Sequence, residues 1–583
     1  FGSSAGFWGV PPFVGAAMPC LLEPPKGSML FAALAGIEDE EHEETVVIVD
    51  PYTSGRFLVE EFRRRRWPLV AVRSSLSIDE ALLSTWNAAS FERTVVHHGD
   101  LAETIASLRN VGSIRAVIAG SEPGVALADE LSAALGLRGN DPTGPRPRCR
   151  WDKYEMHERL SECGLRALRQ RVCSSAEEAA AFAAEVDTWP IVVKSRTSNG
   201  FSGCVHLCGD REALDEAVAF VRSAKDLAGR ANDAALAQEY LEGREYVVDC
   251  VSFGGEHFVS ATWAYCKTPT ECGFIYDNTR TLPYDSAPDS LQQRLYRYVF
   301  ECLTALGVRN GASHCEVVVP EGDQDSPCLV RLGARMHGSM GPALWSKCAG
   351  REQAQPYLLA ELFAEEAGGS LPRRLRDMRE RPGAQAYKLT RWSVQVDLQC
   401  PTGGILSQSV EASSGDWLRA MPSFWAMRLF VEDGDRVAPT RSLSTSPGFV
   451  VLLGYSEAEV DRDLAKIRER EKSGLMYIVR PGSENVVGAT PSGSGRRNSI
   501  SAARMRELEA EAEKLISPLA SRACSPVLSP QQAPAMPPGI GDSLVEFTLN
   551  GDGLDDFDLD GGGGGGLGGF VGGAGGLDDF SLE

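Results

Sequence analysis

Two lysines, a loop rich in backbone donors, glutamates and a late arginine follow one another between Trp151 and Pro342. Lys153 stands in WDKYEM (151–156), just past a proline-rich linker. Lys194 ends the strand-like run of PIVVKSRTSNGFSG (190–203) and opens its Gly/Ser loop. QEYLEGREYVVD (238–249) comes next, then CEVVV (315–319) and LVRLGARMHGSMGP (329–342). Residues of these types are what a protein needs to hold a nucleoside triphosphate with Mg²⁺. A phosphate cradle requires N–H groups that approach closely, hence Gly and small side chains. The stretch Ser195–Gly203 supplies them directly after a lysine at a strand end. A Walker loop would contain Gly-Lys, and no such pair occurs, so a phosphate held here is held in another fold. Taken alone, Lys194 and its loop read as an ordinary hairpin with a surface lysine. The order of the other elements reverses that reading.

The elements that must position these residues follow from periodicity. TVVIVD, PLVAV, RTVVHH and IRAVIAG read as strands. GRFLVEEFRRRR, ETIASLRNVG and PGVALADELSAALGL read as helices between or after them. Such alternation predicts a doubly wound, Rossmann-like parallel sheet over 45–145. The turn after the first strand, DPYTSGRF, is not G-x-G-x-x-G, which disfavours dinucleotide binding. GSEPG (120–124) falls at a strand's carboxyl end, where it lines a substrate cleft or serves as a plain connector. NDPTGPRPR (140–148) is a linker by its prolines. Residues 150–370 then mix helical and strand patterns. Among them, ALAQEYLEGREYVVDCVSFGGEHFVSATWAY reads as antiparallel sheet with a Gly-Gly turn, and SLQQRLYRYVFECLTALGV as a long helix. Residues 385–480 form a β-rich unit ending in the helix SEAEVDRDLAKIREREKSG.

Composition bounds the function. The 583 residues suggest three to four domains, and 43% hydrophobic content is ample for real cores. The net charge of −22 argues against nucleic acid as a partner. No apolar run reaches membrane-spanning length. Fifteen dispersed cysteines with no C-x-x-C pair read as reduced thiols, in a cytoplasm or an organelle stroma. Residues 1–44 read as a loose leader or the remnant of a targeting segment, though a basic flank is missing. From 481 the chain turns to Ser, Pro and Gly, with one helix near 501–516. The end is acidic and Gly-rich, and its composition predicts disorder. LDDF occurs there twice, at 554–557 and 577–580, either as a bivalent ligand for a protein partner or as part of a solubilising tail.

The order of motifs resembles the ATP-grasp ligases, and most closely their amino-acid ligase (carboxylate–amine ligase) branch. GFVVLLGYSEAEVDRDLAKIRERE (448–471) also resembles the C-terminal domain common in that branch. The resemblance covers about residues 45–480 and implies a two-lobed ATP-binding α+β core over 150–370, with lobes at about 150–240 and 241–370. It implies ATP and Mg²⁺ as cofactors and small-molecule carboxylate and amine substrates, and leaves a homodimer open. Carried over by motif, Lys153 and Lys194 contact phosphates, and Thr197, Ser198, Asn199, Gly200, Ser202 and Gly203 belong to the covering loop. Gln238 is the hinge residue, and its carbonyl accepts from the adenine amino group. Glu239 and Leu241 offer backbone groups to adenine, and Glu245 takes the ribose. Glu316 binds Mg²⁺, and Arg335 steadies the transferred phosphate or the oxyanion.

One position departs from the family pattern. Where a second metal-binding Glu usually stands, this chain has Arg331. A guanidinium cannot ligate Mg²⁺, which takes oxygen ligands. Three readings stand open. Arg331 pairs with phosphate in place of a metal, which would make it catalytic; or catalysis is lost and the protein only binds nucleotide; or an acid from the insertion EGDQDSP, Asp323 or Asp325, serves instead. Elsewhere, His314 reads as a hydrogen-bonded sheet residue before a substrate contact, His97–His98 as a strand end, and Arg63–Arg66 as a solvated helix end. The leading expectation is an ATP-dependent ligase that activates a carboxylate as an acyl phosphate and joins it to an amine. Its rivals are a nucleotide-binding pseudoenzyme whose tail recruits partners, and a scaffold that inherits only the fold.

Overall fold

The computed structural model describes residues 42–480 apart from 79, 198–204, 225–231, 271–272, 323–325, 366–370, 372, 381–385 and 443–444. The leader, the helix expected near 501–516 and the acidic tail lie outside the described residues. β1 (Thr45–Val49), β2 (Leu69–Arg73), β3 (Arg93–Val96) and β4 (Ile114–Ala119) make a parallel sheet in the order β3-β2-β1-β4. β1 is buried along its whole length, as a strand covered on both faces must be. Its alternate residues enter two cores. Val47 and Val49 pack with Leu108, Leu127 and Leu131. Val46 and Ile48 pack with Leu58 and Phe62, and with Phe253 and Leu358 from later in the chain. That second face docks the sheet onto the rest of the protein.

The loop after β4 must approach the end of β1 closely. A Cβ on Gly120 would lie 2.7 Å from the Pro51 Cα, and one on Gly124 would lie 2.6 Å from the Val49 carbonyl oxygen. The two glycines let GSEPG lie against the carboxyl ends of β1 and β4, where the strand order reverses. Glu122 rides on this loop and is buried.

β5 (Gln170–Cys173), β6 (Ile191–Ser195), β7 (Val205–Cys208) and β8 (Ala235–Glu239) form an antiparallel sheet, β5-β8-β6-β7. The helices Ala176–Val186 and Arg211–Ser223 cover one face through Phe182, Leu214 and Val218. β9 (Gly243–Phe253), β10 (Glu256–Thr270), β11 (Gly273–Thr281), β12 (Gly311–Pro320) and β13 (Cys328–Gly333) follow. The Gly-Gly turn expected from sequence joins β9 to β10, with φ of 62° and 95° at Gly254 and Gly255. Residues 392–480 add β14 (Trp392–Asp397), β15 (Gly404–Gln408), β16 (Phe424–Leu429), β17 (Arg436–Val437), β18 (Gly448–Gly454) and β19 (Ile478–Arg480). β14, β16 and β18 join the same eight-stranded sheet, β13-β12-β9-β10-β11-β14-β18-β16, while β15, β17 and β19 pair separately.

Alternation divides the large sheet into an apolar and a polar face. Tyr246, Val248, Cys250, Cys315, Val317 and Val319 pack into the core with Leu295, Val299 and Cys302 of the helix Leu291–Ala305. The intervening positions Glu245, Asp249, His314 and Glu316 therefore share the opposite face. The register shifts between Glu316 and Val317 against β13, a bulge at the point where Arg331 stands opposite Glu316. Among the described residues no helix is long and apolar enough to cross a membrane.

Candidate active site

The polar face of the large sheet meets the inner end of β6 and the first turn of the helix Lys153–Glu162. Asp152 caps that helix, accepting from the Tyr154 and Glu155 amides at 2.9 and 3.3 Å. Its carboxylate also holds Arg148 at 2.7 Å and Arg196 at 2.9 Å. Lys153 is buried at the first helical position, and its Nζ donates to the Ser195 and Arg196 carbonyls at 3.1 and 3.4 Å. Lys194 is buried in β6, and its ammonium makes no hydrogen bond or ion pair among the described residues. Burial pushes the Lys194 amine down to about 8; Arg331 adds to the fall and Glu316 opposes it. Burial, then Arg331 and Lys194, push Lys153 further down. Thr197 bridges to Asp152 at the start of the covering loop. Ser198, Asn199, Gly200, Ser202 and Gly203 lie outside the described residues, as do Asp323 and Asp325.

β8 carries the hinge positions. Gln238 is buried; its Nε2 donates to Gln170 at 2.9 Å, while its Oε1 has no partner among the described residues. The Glu239 amide is spent on the Arg169 carbonyl at 3.0 Å, and its carboxylate accepts from Arg169 Nε at 2.7 Å. What Glu239 retains for a ligand is its carbonyl. Leu241 lies in the link from β8 to β9. Glu245, in β9, pairs with Lys267 of β10 at 2.6 Å. Burial raises the Glu245 carboxyl, and Lys267 opposes that rise. Lys267 also lies 4.5 Å from the centre of the Tyr276 ring and 5.1 Å from that of Tyr265.

Two carboxylates, Glu122 buried and Glu316 half-buried, flank the sheet's edge. Glu122 receives Arg335 Nε and Arg331 Nη2 on one oxygen, each at 2.9 Å, although the Arg331 contact is not aligned as a hydrogen bond. Arg331 and Arg335 hold Glu122 below the usual carboxylate range despite burial. Arg331 Nη1 also lies 4.0 Å from Glu316, whose other neighbour is His314 Nε2 at 3.4 Å. The His314 hydrogen bond, Lys267 and Arg331 keep Glu316 well below the ordinary range against the pull of burial. One strand over, Asp249 accepts from His314 Nδ1 at 2.8 Å, His337 Nδ1 at 2.9 Å and Trp263 Nε1 at 2.7 Å.

Comparison with known proteins agrees with this architecture. No protein-family model matches the chain. Dapdiamide A synthase of Enterobacter agglomerans is 28% identical over 436 residues, which is 74% of this chain and 96% of that protein. Among solved structures, L-amino acid ligase from Bacillus licheniformis superposes with a TM-score of 0.54 at 17% identity, over 74% of this chain and 98% of that one. Carboxyaminoimidazole ribonucleotide synthase from Aspergillus clavatus, solved with ATP, gives 0.51 at 16% identity, over 74% and 99%. The chain shares the fold of these ligases.

Of the residues named from the motif order, the structure brings Lys153, Lys194, Glu245, Glu316, Arg331 and Arg335 into one cluster, in which Lys153, Lys194 and Arg335 are buried. Four further members were not singled out from sequence: Glu122, Asp249, Lys267 and His337. Glu122 had a signal, since GSEPG ends a strand at the switch point of a doubly wound sheet. Asp249 and Lys267 are single polar residues inside strands, and only register shows what they face. His314 is a hydrogen-bonded sheet residue, as expected, and it also reaches Glu316. The Arg63–Arg66 run ends a helix, with Arg64 and Arg65 paired to Glu61.

Proposed function

We propose that this protein is an ATP-dependent carboxylate–amine ligase that activates a carboxylate, that of an amino acid, as an acyl phosphate and joins it to an amine. ADP and phosphate are the co-products. The observation that carries this reading is the Lys194 ammonium, which has no hydrogen-bond or ion-pair partner among the described residues and is buried beside Lys153 within the field of Arg331 and Glu316. A buried cation without a directly bonded partner is costly, and a phosphate group is the partner that relieves it. The orphan Oε1 of Gln238 fits a ligand N–H such as the adenine amino group. In this reading Leu241 and the Glu239 carbonyl are the remaining hinge groups, and Glu245 is assigned to the ribose hydroxyls. Arg335 stabilises negative charge on the transferring phosphate or on the oxyanion.

The donor set accommodates one Mg²⁺ better than two. Glu316 offers carboxylate oxygen, whereas Glu122 is taken up by two guanidiniums and Glu245 by Lys267. A bound Mg²⁺ would neutralise phosphate charge from the Glu316 side, and Arg331 supplies fixed positive charge where the family usually has a second carboxylate. That replacement is also what favours the second reading, a nucleotide-binding pseudoenzyme. A screen separates them: the 20 standard L-amino acids, singly and in pairs, with ATP and Mg²⁺, reading ADP and phosphate, and hydroxamate when hydroxylamine is added. Amino-acid-dependent release with hydroxamate supports the ligase. ATP binding without turnover in any combination supports the pseudoenzyme.

A further inference from the structure

One nitrogen of the imidazole cluster is left open. Asp249 is buried, and both of its oxygens are occupied by Nδ1 of His314, Nδ1 of His337 and Nε1 of Trp263, at 2.7–2.9 Å. These are hydrogen-bond separations. Two ligands of a tetrahedral ion, each about 2.1 Å from it, would lie roughly 3.4 Å apart, so the cluster is a proton network rather than a metal site. With His337 Nδ1–H donated to Asp249, the lone pair of His337 resides on Nε2. That nitrogen has no partner among the described residues and is not among the sealed, unsatisfied atoms.

The ring is fixed on every side. The His337 amide donates to Gln355 Oε1 at 2.9 Å. Trp263 and His314 pack at centroid distances of 4.9 and 4.4 Å. Gly341 backs the ring so closely that a Cβ there would lie 2.3 Å from the His337 Cδ2. His337 follows Arg335 by two residues, and His314 links it to Glu316. The charged or titratable groups facing it are Asp249, His314 and Arg335, and burial holds its imidazole toward the neutral form. The nearby carboxylates Glu122 and Glu316 are held as anions by their cationic neighbours, which makes them poor proton acceptors.

We infer that His337 is the proton acceptor of the amide-forming step, with Asp249 as its positioning residue; this rests on the ligase reading above. The neutral amine attacks the acyl carbon of the acyl phosphate. The C–N bond forms from the nitrogen lone pair, and the C–O bond to phosphate breaks with its electron pair leaving on the phosphate. The surplus N–H proton passes to His337 Nε2, and the imidazolium then returns it to the departing phosphate.

The test compares two nucleophiles on one acyl phosphate, using the amino acid that gives most hydroxamate with the full-length protein. Hydroxylamine is already neutral near pH 7 and reacts without a protein base, whereas glycinamide needs one. In His337→Gln the ratio of amide rate to hydroxamate rate should fall about 100-fold. The fall should lie in kcat more than in KM, and should shrink as pH is raised from 7 to 9. Asp249→Asn should lower the same ratio in the same direction. His337→Ala with added imidazole gives a second measure, since imidazole should restore the amide rate selectively. Equal losses with both nucleophiles, or no rescue, would overturn the role of His337 and leave the ligase standing. No hydroxamate from the wild-type protein with any amino acid would remove the ligase reading, and this inference with it.

Discussion

Along the polar face of the large sheet, two buried carboxylates are each gripped by two nitrogen bases. Glu122 lies between Arg331 and Arg335, and Asp249 lies between His314 and His337. The first pair of partners carries permanent charge, because a guanidinium does not release its proton in a protein. The second pair titrates. The guanidinium corner therefore provides a fixed field, suited to holding a phosphate or an oxyanion, and the imidazole corner provides a place where a proton can reside. They also differ in origin. Asp249 is part of the sheet that it serves, whereas Glu122 arrives from the parallel sheet on a loop shaped by Gly120 and Gly124.

The largest expected effect lies in the imidazole corner. Asp249→Asn leaves two imidazoles and an indole N–H without their charged acceptor, and should cost about 3–5 kcal/mol in urea unfolding. A variant as stable as wild type would break the view that this carboxylate organises the corner. The pH dependence sharpens it. His337, His314 and their hydrogen bonds depress the Asp249 carboxyl against desolvation. Its contribution to stability is thus complete above the unfolded-state value of about 3.9 and is lost as pH falls below that. Wild-type Tm should drop more steeply than that of Asp249→Asn between pH 4 and pH 2.

Lys194→Met tests the phosphate side. The depressed amine disfavours folding while it is charged, so wild-type stability should rise as pH goes from about 8 toward its unfolded value of about 10.4. Removing it should stabilise the nucleotide-free protein by on the order of 2–4 kcal/mol. It should also weaken ATP binding by about 1.5–3 kcal/mol, tenfold or more by calorimetry. Unchanged affinity in a folded variant would take Lys194 out of the site.

A smaller effect distinguishes fixed charge from metal. Arg331→Glu should raise Mg²⁺ affinity in the presence of ATP by about tenfold, ~1.4 kcal/mol. If the ligase rate rises with it, Arg331 cripples the natural protein; if the rate falls, its charge takes part in the reaction. Indifference on both counts would mean that Arg331 is remote from the phosphates. Smallest of all is Arg169→Ala. The Arg169–Glu239 pair is half exposed, with 55% of the Arg169 side chain accessible, and should contribute less than about 1 kcal/mol to Tm-derived stability.

Much of this site was legible because its residues lie beside local punctuation. Lys153 follows a proline-rich linker, Lys194 precedes a Gly/Ser run, and Glu316 and Arg335 stand in strand-like runs of the expected order. The doubly wound sheet was legible for the same reason, since its strands are short apolar runs separated by amphipathic helices. What remained hidden depends on register. Asp249 meets His314 across 65 residues and His337 across 88, and a shift of one residue in β9 would turn Asp249 to the other face. Lys267 meets Glu245 across a long hairpin, and no local pattern marks either residue as the other's partner. The union of β14, β16 and β18 with the central sheet was equally invisible, because the β11–β14 pairing spans more than a hundred residues.

The Arg335–Glu122 contact, spanning 213 positions, also has a consequence for the order of assembly. The counter-charge for both guanidiniums is synthesised first and must wait until β13 and the turn beyond it have been made. Contacts so distant along the chain carry a large loop-closure cost and form slowly. A fragment lacking the parallel sheet would hold Arg331 and Arg335 without the carboxylate they share, and a fragment ending before β13 would bury Glu122 without either guanidinium. Closure of this one ion cluster therefore marks the point at which the first and later parts of the chain have found each other, and competence for chemistry arrives with completion of the fold.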